Sequence, residues 1–372
     1  MIRLLHLADV HLGRPFQMLG EKGTAQRRAL DAAFVRAVDL AIEHNVHLVL
    51  VAGDLFDSAR PLPAALELVG RQLRRLEDAR IRAAVVAGNH DRGEDGCVAG
   101  IETLRAASPG TLWIGGEVEA HRFPELDLTL IARSPVPGAA RSPLAGWPAR
   151  PATRFAVGLT HGSFYRAGVV ETPGAIHPQE VREAGLDYLA LGDWHSAAEV
   201  VPPPSAAWYA GALELLGFDQ EGAGHALLVE IPEPGRAMIT PQRVGRRQYR
   251  RLELDLALLD DEGVRRAIEE AASAEAICDA VLTGVVPVTR PVNAKGLEEE
   301  LGERFFRLRV TNRTRLWLDD DRLAEISDET VLGKFVRLMR ARIAAADAEQ
   351  RPLLEEALQV GVAVLRGGEV LA

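Results

Sequence analysis

The chain has 372 residues, 47% of them hydrophobic and 26% charged, with a net charge of −10 at neutral pH. That length suffices for two domains and a sizeable core, while the acidic balance excludes a wholly basic coat for nucleic acid and leaves local patches open. No run of about 18 apolar residues is present, which excludes a membrane-spanning helix.

The two cysteines, Cys97 and Cys278, lie far apart without metal-site spacing. They read as reduced, inert thiols of a cytoplasmic protein. The chain enters a strand at once, from Ile2 to Ala8, so no signal peptide is expected. That strand stops at Asp9-Val-His11-Leu-Gly13. Residues 24 to 44 follow as an amphipathic helix, with Leu30, Phe34, Val38 and Ile42 on one face. A short apolar run from Leu48 to Ala52 has the length of a buried parallel strand and ends at Gly53-Asp-Leu-Phe-Asp57. A second helix, 62 to 79, carries Leu66, Val69, Leu73 and Leu76, and strand 82 to 87 ends at Gly88-Asn-His-Asp91. This alternation predicts a layered α/β domain.

The middle is less regular. Residues 134 to 151, rich in Pro and Gly, read as a surface loop. Strand 155 to 160 ends at His161-Gly162, and strand 186 to 191 ends at Gly192-Asp-Trp-His195. Segments 207 to 211 and 226 to 231 read as closing strands, and the domain boundary is expected near Pro232 to Gly235. Beyond it, 249 to 256 alternates as a strand, 261 to 276 is helical, and 280 to 288 and 305 to 310 are further strands. The tail, 330 to 366, reads as two helices separated near Gln350-Arg-Pro352.

Five strand ends therefore carry Asp9 and His11, Asp54 and Asp57, Asn89 with His90 and Asp91, His161, and Asp193 with His195. A single Gly-Asp after a strand begins many ordinary turns. Five such ends in order are hard to explain as packing, because buried Asp, Asn and His each need partners. Mixed imidazole, carboxylate and amide-oxygen donors suit Mn, Fe or Zn better than a structural cysteine site. More donors are present than one ion requires, so the residues point to a two-metal centre of the kind that promotes in-line displacement at phosphorus.

These residues resemble the five motifs of calcineurin-like metallophosphoesterases: Asp9-x-His11, Gly53-Asp-x-x-Asp57, Gly88-Asn-His-Asp91, His161-Gly162 and Gly-x-x-His195. The opening His6-Leu-Ala-Asp-Val-His-Leu-Gly13 and Ala52-Gly-Asp-Leu-Phe-Asp57 resemble more specifically the SbcD-type DNA-repair nucleases and the YhaO-type proteins. The resemblance implies a metallophosphoesterase β-sandwich flanked by helices over residues 1–235. It further implies a smaller α/β capping domain over 245–325 that positions DNA, and a helical tail over 330–372. It assigns Asp9, His11 and His195 to a first ion, Asp54 to both ions, and Asn89, His161 and position 193 to a second. His90 is then the acid that protonates the leaving oxygen, and Asp57 the carboxylate that orients it. One position departs from the pattern, since the family has Gly-His-x-His where this chain has Gly192-Asp-Trp-His195. Either Asp193 substitutes as an oxygen ligand or the second site is weakened.

His6, His44, His47, His121, His177 and His225 have no motif around them and read as structural or solvated. Trp194, Trp208 and Tyr209 sit beside the last motif, where core packing or base stacking would suit them. Two basic clusters follow: Arg243, Arg246, Arg247, Arg250 and Arg251, then Arg304, Arg307, Arg309, Arg313 and Arg315. They would either follow a nucleic-acid backbone or form a solvated face paired with the acids at 298 to 303 and 319 to 321.

The sequence-based expectation is a cytoplasmic, Mn²⁺-dependent phosphodiesterase cleaving single- or double-stranded DNA, with Mg²⁺, Fe²⁺ or Zn²⁺ as other ions the site suits. A small-molecule or cyclic-nucleotide phosphoesterase is the alternative. The resemblance further implies an SbcC/YhaN-like coiled-coil ATPase docked through the C-terminal helices, and it is compatible with a homodimer.

Overall fold

The computed structural model describes residues 1–93, 96–136, 138, 141–165, 168, 172–217, 220–287, 290, 292–317, 329–347 and 350–365. The chain divides into two compact units, Met1–Gln248 and Tyr249–Ala372.

In the first unit, β1 (Ile2–Leu7), β2 (Leu48–Ala52), β3 (Arg82–Val86) and β4 (Leu112–Ile114) run parallel, and antiparallel β11 (His225–Ile231) and β12 (Met238–Arg243) complete a six-stranded sheet in the order β12-β11-β1-β2-β3-β4. The second sheet has the order β5-β6-β7-β8-β10-β9. Its strands are β5 (Glu119–Phe123), β6 (Leu128–Arg133), β7 (Phe155–His161), β8 (Tyr188–Gly192), β9 (Ala198–Val201) and β10 (Ala206–Tyr209). β6, β7, β8 and β10 are parallel, with antiparallel edges. Leu4, Leu50, Val86 and Leu227 of the first sheet share one core with Leu130, Val157 and Tyr188 of the second, so the sheets form a sandwich.

Helices cover the outer faces. In α1 (Gly23–Glu43), Leu30, Ala33, Phe34, Ala37, Val38 and Ala41 recur at helical spacing and are buried. α2 (Pro63–Asp78) begins with proline, whose fixed φ suits a first helical position. Because both faces of the sheet are covered, β2 is buried at every residue, and it reads as an unbroken apolar run for that reason. The second sheet's outer face packs Ile131, Leu189 and Leu191 against Val181 of α4 (Pro178–Ala184). A short α3 (Ile101–Ala107) precedes β4.

The first unit continues past Pro232–Gly235, which turns between β11 and β12. The boundary comes after Gln248, because β12 pairs with β11 along its whole length. The sequence signal there was a hairpin turn. Arg247 is buried in this unit, where its Nε donates to Gln26 Oε1 at 3.0 Å.

The second unit holds a three-stranded sheet in the order β13-β14-β16, made of β13 (Gln248–Asp255), β14 (Ala276–Thr283) and β16 (Arg307–Asn312). α5 (Asp261–Glu270) and α6 (Ala294–Leu301) pack on it through Ile268 and Leu301. A parallel pair, β15 (Val285–Pro287) with β17 (Arg315–Trp317), lies beside it in sequence. α7 (Val331–Ala345) and α8 (Arg351–Leu365) pair through Val336, Met339, Leu358 and Val362.

Much of the second basic cluster is acid-paired within this unit. Arg309 forks onto both oxygens of Asp279 at 2.8 and 2.9 Å, Arg304 meets Glu269 at 3.1 Å, and Arg307 meets Glu298 at 4.0 Å. Residues 319 to 321, expected to join this pairing, lie outside the described residues. Among the described residues no helix is long and apolar enough to cross a membrane.

Candidate metal centre

All five strand ends converge. Asp9 and His11 follow β1, Asp54 and Asp57 follow β2, Asn89 and His90 follow β3, His161 closes β7, and Asp193 and His195 follow β8. These are carboxyl ends of parallel strands from both sheets, the edge where open α/β sheets place ligands. Three groups of donor atoms each lie within 4.8 Å of one another: Asp9, His11 and His195; Asp9, Asp54 and His161; and His11, Asp57 and His90. The first two groups share Asp9, and Asp54 Oδ2 lies 3.6 Å from His11 Nε2 and 3.8 Å from His161 Nε2. Asp193 Oδ1 is 3.8 Å from the same His161 nitrogen, and Asn89 Oδ1 is 2.9 Å from it.

The backbone is bent to achieve this. Asp9, His11 and Asp54 hold left-handed φ of 48°, 51° and 49°, and Asp193 has φ 114°. Such conformations cost on the order of 1–3 kcal/mol each and persist where surroundings impose them. Here the two loops zip together: Asp9 N–H donates to Gly53 O at 3.1 Å, His11 N–H to Asp54 O at 2.8 Å, and Leu12 N–H to Leu55 O at 3.0 Å. Asp193 N–H donates to Asp9 Oδ1 at 3.0 Å, tying the second sheet's loop to the first. Two glycines are required by contact. A Cβ on Gly88 would stand 2.0 Å from Asp54 Oδ1, and one on Gly53, at φ +85°, would stand 2.3 Å from His161 Nδ1.

Several partners orient these side chains. His161 Nδ1–H donates to Ala52 O at 2.9 Å, which leaves Nε2 as an electron-pair donor facing only oxygens. The Asp57 carboxylate bonds His11 Nδ1 at 3.1 Å and accepts from Arg14 at 3.0 Å. His90 meets the main-chain carbonyl of Asp57 at 3.3 Å, through Nδ1, while its own N–H donates to Asp54 Oδ1 at 2.8 Å. The carboxylate of Asp57 is thus committed to His11 rather than to His90. Asp91 is buried and accepts from Gly88 N–H at 2.8 Å and Phe56 N–H at 3.2 Å, clasping two loops. Three contributors carry no motif. Arg14 holds Asp57, Ser163 donates to Asp193 Oδ2 at 2.7 Å, and the Gln220 amide contacts His195 Nδ1 at 2.8 Å. Only Arg14 was within reach of sequence reasoning, five residues after Asp9. Of the aromatic residues, Tyr209 is core, with its hydroxyl donating to Gly162 O, whereas Trp194 is 44% exposed beside His195.

The electrostatics fit cations. Burial pushes the Asp9 carboxyl up to about 7, with Asp54 and Asp193 adding repulsion against the relief from His161. Burial likewise lifts Asp91 to about 6. For His161, burial favours the neutral ring, but the surrounding Asp54, Asp9 and Asp193 overcome it and raise its pKa. Burial, with His11 and Arg14 nearby, holds His195 down at about 4, a neutral imidazole. His11 Nε2 is buried without a hydrogen-bond partner among the described residues. Crowded acceptors and an orphaned imidazole nitrogen are what divalent cations would satisfy. A cation held by Asp9 would displace its proton below pH 7, so Mn²⁺ affinity is then expected to rise about tenfold per pH unit between pH 5 and 7 and to flatten above. Competition with a calibrated chelator measures this, and a pH-independent affinity would contradict it.

The profile of the calcineurin-like phosphoesterase family matches residues 2–197. Among curated proteins, the DNA double-strand break repair protein Mre11 of Saccharolobus solfataricus is 34% identical over 91 residues, which cover 24% of this chain and 23% of that protein. The metallophosphoesterase YhaO of Bacillus subtilis is 36% identical over 94 residues, 24% of this chain and 23% of its own. The SbcD component of the nuclease SbcCD of Escherichia coli is 35% identical over 91 residues, 24% and 21% of the two chains. In each case the aligned stretch spans under a quarter of the relative's length.

Proposed function

Since the chain belongs to the calcineurin-like phosphoesterase family, we propose that it is a Mn²⁺-dependent, two-metal phosphodiesterase that cleaves DNA as the nuclease component of a repair complex. The observation that carries this reading is that two donor groups, Asp9 with His11 and His195 and Asp9 with Asp54 and His161, share Asp9, with Asp54 Oδ2 within 4 Å of both His11 and His161 and with His90 at their rim. In this assignment Asp9, His11 and His195 hold one cation, Asn89, His161 and Asp193 hold the other, and Asp54 serves both. When bound, the two cations supply positive charge that draws phosphoryl oxygens and lowers the pKa of water. His90 does the remaining proton work. Its Nδ1–H is held by the Asp57 carbonyl, so Nε2 is the atom that carries a proton to the leaving oxygen. Asp57 and Arg14 act one step back, fixing the ring of His11.

DNA as substrate is supported by the names of the relatives, two of which are DNA-repair or nuclease proteins. The name SbcCD, that of a nuclease with more than one component, supports a partner. The C-terminal helices suit its docking, since Leu338 and Leu353 remain 55% and 70% exposed beside a packed seam. The test is incubation of purified protein with Mn²⁺ and labelled single- and double-stranded DNA, alongside cyclic nucleotides. DNA cleavage that stops on chelation is expected. Hydrolysis of cyclic nucleotides with DNA left intact would overturn the nuclease reading in favour of a small-molecule phosphoesterase.

Asp193 gives this assignment its sharpest internal check. Its carboxylate adds a hard oxygen donor where the family has imidazole, which favours Mn²⁺ or Mg²⁺ over softer ions. Asp193→Ala is expected to reduce bound Mn²⁺ from two equivalents to one, measured by metal analysis after gel filtration. Retention of both equivalents would remove Asp193 from the ligand set.

A further inference from the structure

A cavity of about 360 Å³ opens beside the second group of donors. Asn89, His161 and Asp193 line one side of it, and Arg92, Arg133 and Arg141 line it as well. Among the described residues, three arginines thus share a cavity with a single carboxylate, that of Asp193. Two of the three are fixed in place by main-chain oxygens. Arg92 Nη1 donates to Pro135 O at 2.7 Å, while Arg133 donates to Gly116 O at 3.1 Å through Nε and to Ala145 O at 2.8 Å through Nη1. Carbonyls orient a guanidinium without cancelling its charge, and each group keeps N–H donors beyond those used here. Among the described residues, no carboxylate lies within salt-bridge distance of either Arg92 or Arg133. Both are partly buried, and burial lowers the pKa of Arg92. The Asp91 carboxylate relieves part of the burial cost at Arg92, but partly buried, preoriented cations that no salt bridge answers among the described residues are costly unless an anion joins them. Planar guanidinium forks match phosphate oxygens in pairs, which makes phosphate the fitting anion.

We propose that Arg92, Arg133 and Arg141 form a subsite for a second phosphate, one carried by the nucleic-acid strand next to the phosphodiester being cleaved. The inference rests on the phosphodiesterase reading above and names a substrate class for it: strands bearing an additional phosphate on the side of the second cation. The cavity has room for that phosphate and part of its sugar, and its arginines lie on the same unit as the donor groups. An ester with one phosphate, such as bis(p-nitrophenyl) phosphate, would leave the subsite unused. A short strand ending in a phosphomonoester would fill it with a doubly charged group. The same chemistry is offered by a 5′-terminal or a 3′-terminal phosphate, and the two are separated by experiment.

The test measures binding of base-labelled fluorescent dinucleotides, which carry a single phosphodiester, to the full chain by anisotropy, with Ca²⁺ replacing Mn²⁺ to suppress turnover. Three probes are compared: unphosphorylated, 5′-phosphorylated and 3′-phosphorylated. One phosphorylated probe is expected to bind about tenfold more tightly than the unphosphorylated one, and which of them does so identifies the end that is read. In R92Q/R133Q the advantage is expected to fall to within twofold. Should that variant fail to fold, Arg141→Gln, at an exposed position, carries the test and is expected to reduce the advantage about threefold. Equal binding of all three probes to the parent protein would overturn the subsite, as would an advantage that survives in the folded variants. Turnover of bis(p-nitrophenyl) phosphate with Mn²⁺ is followed in parallel. Turnover with equal probe binding removes only the subsite. Absence of turnover removes the phosphodiesterase reading, and the arginine dependence of probe binding then still decides whether the cavity holds phosphate.

Discussion

Asp54→Asn is expected to abolish phosphodiester hydrolysis and to leave the metal-free fold at least as stable as the parent. The two effects have one cause. Asp54 Oδ2 lies between His11 and His161 and is the oxygen assigned to both cations. An amide oxygen carries no net charge to balance them, so metal occupancy and turnover fall together. In the metal-free protein, however, the same charge is a burden, since Asp54 is one of the groups that raise the pKa of both Asp9 and Asp91. Removing it relieves repulsion among buried carboxylates, the usual exchange of stability for function at an active centre. The Asn side chain also retains an oxygen to accept from His90 N–H, as Asp54 Oδ1 does at 2.8 Å. Thermal unfolding in chelator, beside a hydrolysis assay with Mn²⁺, reads both. A large drop in the metal-free midpoint would mean that Asp54 acts as a structural residue, and full activity would remove it from the site.

His90→Ala separates proton transfer from metal binding. His90 is exposed at the rim, and its backbone rather than its ring bonds Asp54. Its loss is expected to lower cleavage of DNA by about 10²–10⁴-fold, the usual worth of a positioned general acid. Bis(p-nitrophenyl) phosphate has a leaving group that hardly needs a proton, so its hydrolysis should fall far less. Bound metal should stay at two equivalents. An equal loss on both substrates, or a loss of metal, would assign His90 to the ligand set instead.

The scaffold was largely legible because its signals are local. β2 is an unbroken apolar run buried on both faces, and α1 shows its buried stripe at helical spacing. The convergence of the candidate residues was legible because each follows a strand within a few residues, and parallel strands of a sandwich deliver such positions to one edge. What stayed hidden depends on contacts between distant segments. The left-handed backbone at Asp9, His11 and Asp54 follows from the zipped loops, which no single stretch displays. Gln220 reaches His195 from 25 residues away, and nothing local marks it. The alternation of Arg307 and Arg309 showed a charged strand but not its acids, because Asp279 arrives on the neighbouring strand β14. Short edge strands such as β5, β9 and β12 escaped because one exposed face gives them little apolar pattern. The guanidinium groups of Arg92 and Arg133 come together only through folding, some 40 residues apart in the chain.

The central claim is that hydrolysis at this site requires two cations. Titrating metal-free protein with Mn²⁺ while measuring bound equivalents and bis(p-nitrophenyl) phosphate turnover in the same samples tests it most directly. The account predicts that turnover stays near background through the first bound equivalent and rises with the second. Full turnover at one bound equivalent, unchanged as the second binds, would contradict it.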